Sequence, residues 1–142
     1  MNILILFSLI YNSSIQSLVV EFHQLNGEKE EQNFINKYKS ENSPGVKAYV
    51  YSLEMKKAEY SFNPVEKLTI FNRYRNKFED LISKHPSNIH LRYMRLTIQE
   101  KLPQILGYYS SIEADKQFLK QKMETKDASD YMDVFIKHNT SL

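Results

Sequence analysis

The sequence contains no cysteine, which excludes disulfides, thiolate metal sites and cysteine nucleophiles. Its 142 residues include only three glycines and four prolines, too few for a loop-rich or disordered chain. It has neither a glycine-rich phosphate loop nor an HExxH zinc motif. His85 and His90 stand five apart with Pro86 between them, which is not ligand spacing on one helical face, and His23 and His138 are isolated. All four histidines read as surface or capping residues. No sustained two-residue alternation marks a half-buried strand. With these signatures missing, a non-enzymatic protein without cofactor or metal is expected.

What is present fits one packed domain: 42% apolar and 25% charged residues over a length that can bury a single core. The net charge of +2 conceals an asymmetry. Residues 1–66 sum to −2, residues 67–102 to +5 and residues 103–142 to −1. All four arginines, Arg73, Arg75, Arg92 and Arg95, fall in the basic third. That patch, with Lys67, Lys77 and Lys84, is modest for a nucleic-acid binder, so specific nucleic-acid recognition is not expected.

The first charged side chain is Glu21. Before it, NILILFSLIY has about the length of a signal-peptide core, and SSIQS offers small residues for a peptidase. A basic n-region is missing. Polar Asn12, Ser13, Ser14 and Gln16 stop the run short of the roughly 20 apolar residues of a spanning helix. The expectation is a signal peptide over 1–17, with a buried N-terminal segment or a membrane anchor as the alternatives, a single helical domain over 18–142 without a membrane span, and export to the periplasm or envelope.

The prolines punctuate a helical chain. Pro44, Pro64, Pro86 and Pro103 are each separated by a helix and a turn. Ser43-Pro44 and Asn63-Pro64 have the form of helix starts, and Asn63 with Glu66, like Ser110 with Glu113, has capping-box spacing. Helices are predicted over 18–25, 28–39, 44–60, 64–84, 88–102, 111–124 and 128–138. Helix 44–60 carries apolar residues on two faces, Val46, Tyr49, Val50 and Leu53 on one, Ala48, Tyr51, Met55 and Ala58 on the other. It belongs in the middle of a stack. The fold class is all-α, built of antiparallel helical hairpins.

FEDLISKHPSNIHLRYMRL, with Phe78, Leu81 and Pro86 ahead of a new helix, resembles the junction between tetratricopeptide repeats. AYVYSLEMKKAEYSFNPVEKL, HLRYMRLTIQEKLPQILGYYSSIEADKQFL and the ending KHNTSL resemble a family of short, uncharacterised, exported bacterial proteins. The resemblances imply a recurring helical domain, and the family carries no known activity to transfer.

The stretch HLRYMRLTIQE, residues 90–100, places two arginines and a tyrosine inside an otherwise apolar helix. At about 100° per residue, Leu91, Met94, Ile98 and Leu102 form a stripe, Arg92 and Arg95 run beside it, and Tyr93 lies on the far side. Arg75 falls within the stripe of helix 64–84, and Asp115 lies on the apolar side of helix 111–124. A guanidinium near a core needs an acceptor. Arg75, Arg92 and Arg95 are therefore candidates for ion pairs with Glu54, Glu59 or Asp115. The other reading has one or two arginines holding a ligand carboxylate or phosphate. Tyr93, Tyr108, Tyr109 and Arg92 form the candidate binding face. An acid/base pair of Glu54 and Asp115 rests on their expected burial alone. Asp127, Asp130 and Asp133 read as a capped helix start ahead of a cation site. The functional expectation is an exported scaffold or protein-binding module; the alternative is a binder of small anions, nucleic acid or lipid surfaces through residues 67–95.

Overall fold

The computed structural model describes residues 15–142. The expected signal segment falls largely on residues 1–14, outside the described residues. Among the described residues the secondary structure is seven α-helices and three short 3-10 turns, with no strand. The helices are α1 (15–23), α2 (Glu28–Tyr38), α3 (Pro44–Lys56), α4 (Pro64–Lys84), α5 (Ile89–Lys101), α6 (Ile112–Glu124) and α7 (Asp133–Asn139). No helix among them is long and apolar enough to cross a membrane.

Local chemistry sets most of the helix starts. Asn63 Oδ1 accepts from the amides of Val65 (2.9 Å) and Glu66 (3.3 Å), and Pro64 fills the first helical position. The Glu66 carboxylate does not complete the box; it takes the Ser61 hydroxyl instead (2.7 Å). Asn88 caps α5 in the same way, from the amides of His90 and Leu91. Gly27, at φ 92°, turns the chain into α2, whose first turn holds Glu28, Glu30 and Glu31. The expected Ser110 cap of α6 is replaced: Ser111 occupies the cap position without a side-chain bond, and Gln99 Oε1 holds its amide. The α-helix expected over 44–60 tightens after Lys56 into a 3-10 turn over Lys57–Tyr60.

Two helices organise the core. Helix α3 packs against α2, α4 and α5, with Ala48 and Tyr49 completely buried. Its Gly45 lies where a Cβ would stand 2.8 Å from Ile15 Cδ1 and 3.1 Å from His90 Cδ2, so α1 and α5 approach closely there. Helix α5 is buried at nine of its 13 residues and contacts α3, α4 and α6. Tyr93 adds a link to α1 through His23 and one to α7 through the Phe135 carbonyl. The main cluster includes Leu18, Phe34, Leu53, Phe78, Leu91, Leu96, Leu119 and Ile136. A smaller cluster of Met55, Phe71 and Tyr108 lies between α3, α4 and the turn after α5.

His90 and His23 depart from the surface role expected of them. His90 is buried, and its two ring nitrogens meet the hydroxyls of Tyr49 (2.8 Å) and Tyr131 (2.9 Å). Tyrosine hydroxyls donate or accept, so the pair satisfies a neutral imidazole in either tautomer. Half-buried His23 bonds the Val19 carbonyl and the Tyr93 hydroxyl, both at 2.7 Å, and stacks on Phe135. Only His85 and His138 are exposed.

Burial lowers the His90 pKa from 6.5 to about 4. The fold therefore favours the neutral ring. This contribution is complete above pH 6.5 and declines as pH falls towards 4, by about 3 kcal/mol in all. Urea melts across that interval should show the decline, and His90→Gln, although less stable at neutral pH, should show a shallower one. Equal slopes in the two proteins would mean that His90 is not the titrating group.

Candidate functional site

The expected binding face does not form a surface. Tyr93 is completely buried, because the side of α5 opposite the leucine stripe is covered by α1 and α7. Burial holds its hydroxyl well above the ordinary phenol range. Tyr108 is 4% exposed; its hydroxyl donates to Glu79 Oε1 at 2.6 Å, and the Arg75 guanidinium lies 4.7 Å from its ring centre. Burial, reinforced by the bond to Glu79, raises its pKa strongly. Only Tyr109 of the three tyrosines is exposed. Arg92 is also committed. It pairs with Asp115, donates to the carbonyls of Pro86 (2.8 Å) and Ala114 (3.1 Å), and lies over the Phe118 ring.

Instead, the arginines of HLRYMRLTIQE converge on one carboxylate. Asp115 is fully buried. Arg95 reaches both its oxygens through Nε and Nη2, each at 2.7 Å, and sends Nη1 to Glu79 at 3.0 Å. Glu79 was not among the residues singled out from sequence. It sits on α4 and links Arg95 to Tyr108, so the cluster ties α4, α5, α6 and the 102–111 connection together. Arg75 makes no ion pair among the described residues; it donates to the Gly107 carbonyl at 3.3 Å. Glu54 pairs with Lys57 at 2.9 Å, and exposed Glu59 has no ion pair among the described residues. Glu54 and Asp115 are thus held by different cations. Buried Glu31, also missed from sequence, takes Lys56 and the Tyr60 hydroxyl.

The basic region is similarly reduced. Lys84 pairs with Asp80 and Lys77 lies over the Tyr74 ring, which leaves Lys67, Arg73 and Lys101 as its exposed cations without such a contact among the described residues. Asp127 and Asp130 accept bonds from amides within their own turn. No group of metal-ligating side chains occurs among the described residues.

A different feature offers a site. A cleft of about 820 Å³ opens between α3, α4 and α5, with Phe22, Leu25, Pro103 and Leu106 adding to its lining. Its floor is Leu53, Met55 and Ala58; Leu68 and Phe71 of α4 face Met94, Ile98 and Leu102 of α5. The two buried hydroxyls on its wall donate to their own helices, Ser52 to Tyr49 O and Thr97 to Tyr93 O. They therefore add little polarity. Lys56, Lys67, Lys101, Glu31 and Glu59 form the charged part of the lining. Along the first turns of α4 and next to Leu106 of the lining, the chain leaves Val65, Leu68 and Ile105 exposed by 52% or more. Such an arrangement holds apolar surface through burial and selects charge at its edge. Leu68 and Phe71 share the apolar stripe of helix 64–84 with Arg75, and spacing alone does not separate a cleft wall from core.

A buried carboxylate deprived of one of two arginines retains an imperfectly compensated charge, at a cost of about 2–4 kcal/mol. Arg95→Ala and Asp115→Ala should each lose stability in this range in denaturant melts, and the double variant should lose less than their sum. Tyr93→Ala should cost about 3–5 kcal/mol, as for a fully buried aromatic ring. A neutral Tyr93→Ala would return that residue to the surface.

In comparisons with protein-family models, curated proteins and solved structures, the chain matches none.

Proposed function

We propose that this is a non-enzymatic, exported helical binding module, whose binding site is the cleft between α3, α4 and α5 in place of the tyrosine face. The observation that carries the reading is a large open cleft with apolar walls, continued outward by Leu68 and its exposed neighbours. A folded monomer gains nothing by leaving such surface to water, and patches of this kind mark sites of association. The architecture is a stack of tetratricopeptide-like hairpins. In support, α3 packs on its successor α4, α5 on its successor α6, and α3 on α5 between them.

Export rests on the apolar run ahead of Glu21 and the small residues that follow it. Cleavage before Leu18 keeps Leu18 and Val19, both core residues, and removes Ile15 with its contact at Gly45. Intact-mass measurement of protein recovered from its native host should give a chain beginning near Leu18. Full-length protein in the soluble cytoplasmic fraction would end the export reading.

The natively folded chain should enhance anilinonaphthalene sulfonate fluorescence while keeping its near-UV circular dichroism, which separates cleft binding from a molten state. Leu68→Glu changes a half-exposed cleft residue and should cost about half a kcal/mol of stability or less, yet abolish most of the enhancement. Undiminished dye binding by that variant would place the dye elsewhere and remove the cleft as the site.

A further inference from the structure

We propose that the cleft receives an amphipathic α-helix of a partner protein, with acidic residues flanking its apolar stripe. This identification of the occupant rests on the cleft being the binding site.

Shape is the first argument. The groove has a helical floor, α3, and two helical walls, α4 and α5. Helix α4 packs mainly on α3, and its first turns, 64–69, are exposed throughout. The void thus resembles a place in the bundle that one more helix would fill. An apolar stripe at i, i+3, i+4 and i+7 matches walls presented by Leu68 and Phe71 on one side and Ile98 and Leu102 on the other.

Extent is the second argument. Apolar exposure does not stop at the cleft. Leu68 is 52% exposed, Val65 74% and, beside Leu106 of the lining, Ile105 93%. A helix of about 14 residues, about 21 Å long, offers an apolar stripe to the cleft and to exposed residues next to its lining, which a single acyl chain within the cleft does not.

Charge is the third. Lys67 on α4 and Lys101 on α5 stand on opposite walls, exposed and without ion pairs among the described residues. Lys56 is already taken by Glu31, and Glu59 is the one acidic lining residue without an ion pair among them. A docked helix with carboxylates on both flanks meets a lysine on each side; one with lysines there meets repulsion.

The test uses the full chain and two fluorescein-labelled peptides of about 14 residues. Both carry leucines at i, i+3, i+4 and i+7; one has glutamates on the flanks and the other lysines in their place. Fluorescence anisotropy at low salt should show the glutamate peptide binding roughly fivefold more tightly, as two surface ion pairs allow. The double variant Lys67→Glu/Lys101→Glu alters exposed side chains only and should reverse the preference. Leu68→Glu should weaken the glutamate peptide by roughly tenfold, through the loss of buried apolar area. Equal affinity of the two peptides, or a preference unchanged by charge reversal, overturns the proposal.

Palmitate and phosphatidylglycerol vesicles serve as competitors for anilinonaphthalene sulfonate. If either displaces the dye in a Leu68-dependent way while neither peptide binds, the occupant is a lipid: the helix proposal fails and the cleft stands as a site. If dye, lipid and peptides all fail to bind, both fail.

Discussion

A carboxylate removed from water must find compensation inside the protein, and Asp115 finds it in two arginines of a single helix. Arg92 and Arg95 lie one turn apart on α5 and grip the same side chain from α6, which fixes the rotation and height of one helix against the other. The remaining nitrogen of Arg95 reaches Glu79 on α4, and Glu79 in turn accepts the Tyr108 hydroxyl. Four segments distant in sequence thereby share one network of charge-assisted bonds. Replacing it with apolar groups need not cost stability, but breaking it from one side does. The network's contribution is therefore to specify which surfaces meet.

That network also shapes the cleft. Tyr108, Phe71 and Met55 form the small apolar cluster beneath it, and Arg75 lies over the Tyr108 ring while holding the Gly107 carbonyl. The connection after α5 is thus pinned at Gly107 and Tyr108, while Ile105 just before them remains in water. Toward its C-terminal end α4 is held by Phe78, Glu79 and Ile82, whereas its first turns stand free. A helix anchored at one end and exposed at the other produces an open groove. The site follows from the uneven anchoring of α4.

On the opposite side of α5 the core uses neutral polar pairs. His90 joins Tyr49 of α3 to Tyr131 ahead of α7, and His23 joins α1 to Tyr93. These bonds allow aromatic residues to be completely buried with their hydroxyls satisfied, at the cost of sensitivity to acid. The buried Nε2 of Gln99 has no hydrogen-bond partner among the described residues, while its Oε1 holds the start of α6.

The helices and several of their starts were legible in the sequence, because those signals act within one turn: proline at the first position and Asn63 accepting the next two free amides. The sequence also put Arg95 and Asp115 on the apolar sides of their helices, since a wheel needs only spacing. The tertiary structure alone decided what covers each side. Tyr93 is a core residue because His23 arrives from 70 positions away, and Tyr108 because Glu79 arrives from 29. A wheel drawn for one helix cannot register a neighbour of that kind. The cleft was illegible for the same reason: nothing in the spacing of residues 64–84 separates Phe71, which the fold buries, from Leu68, which it leaves half-exposed, because burial belongs to a pair of surfaces, never to one.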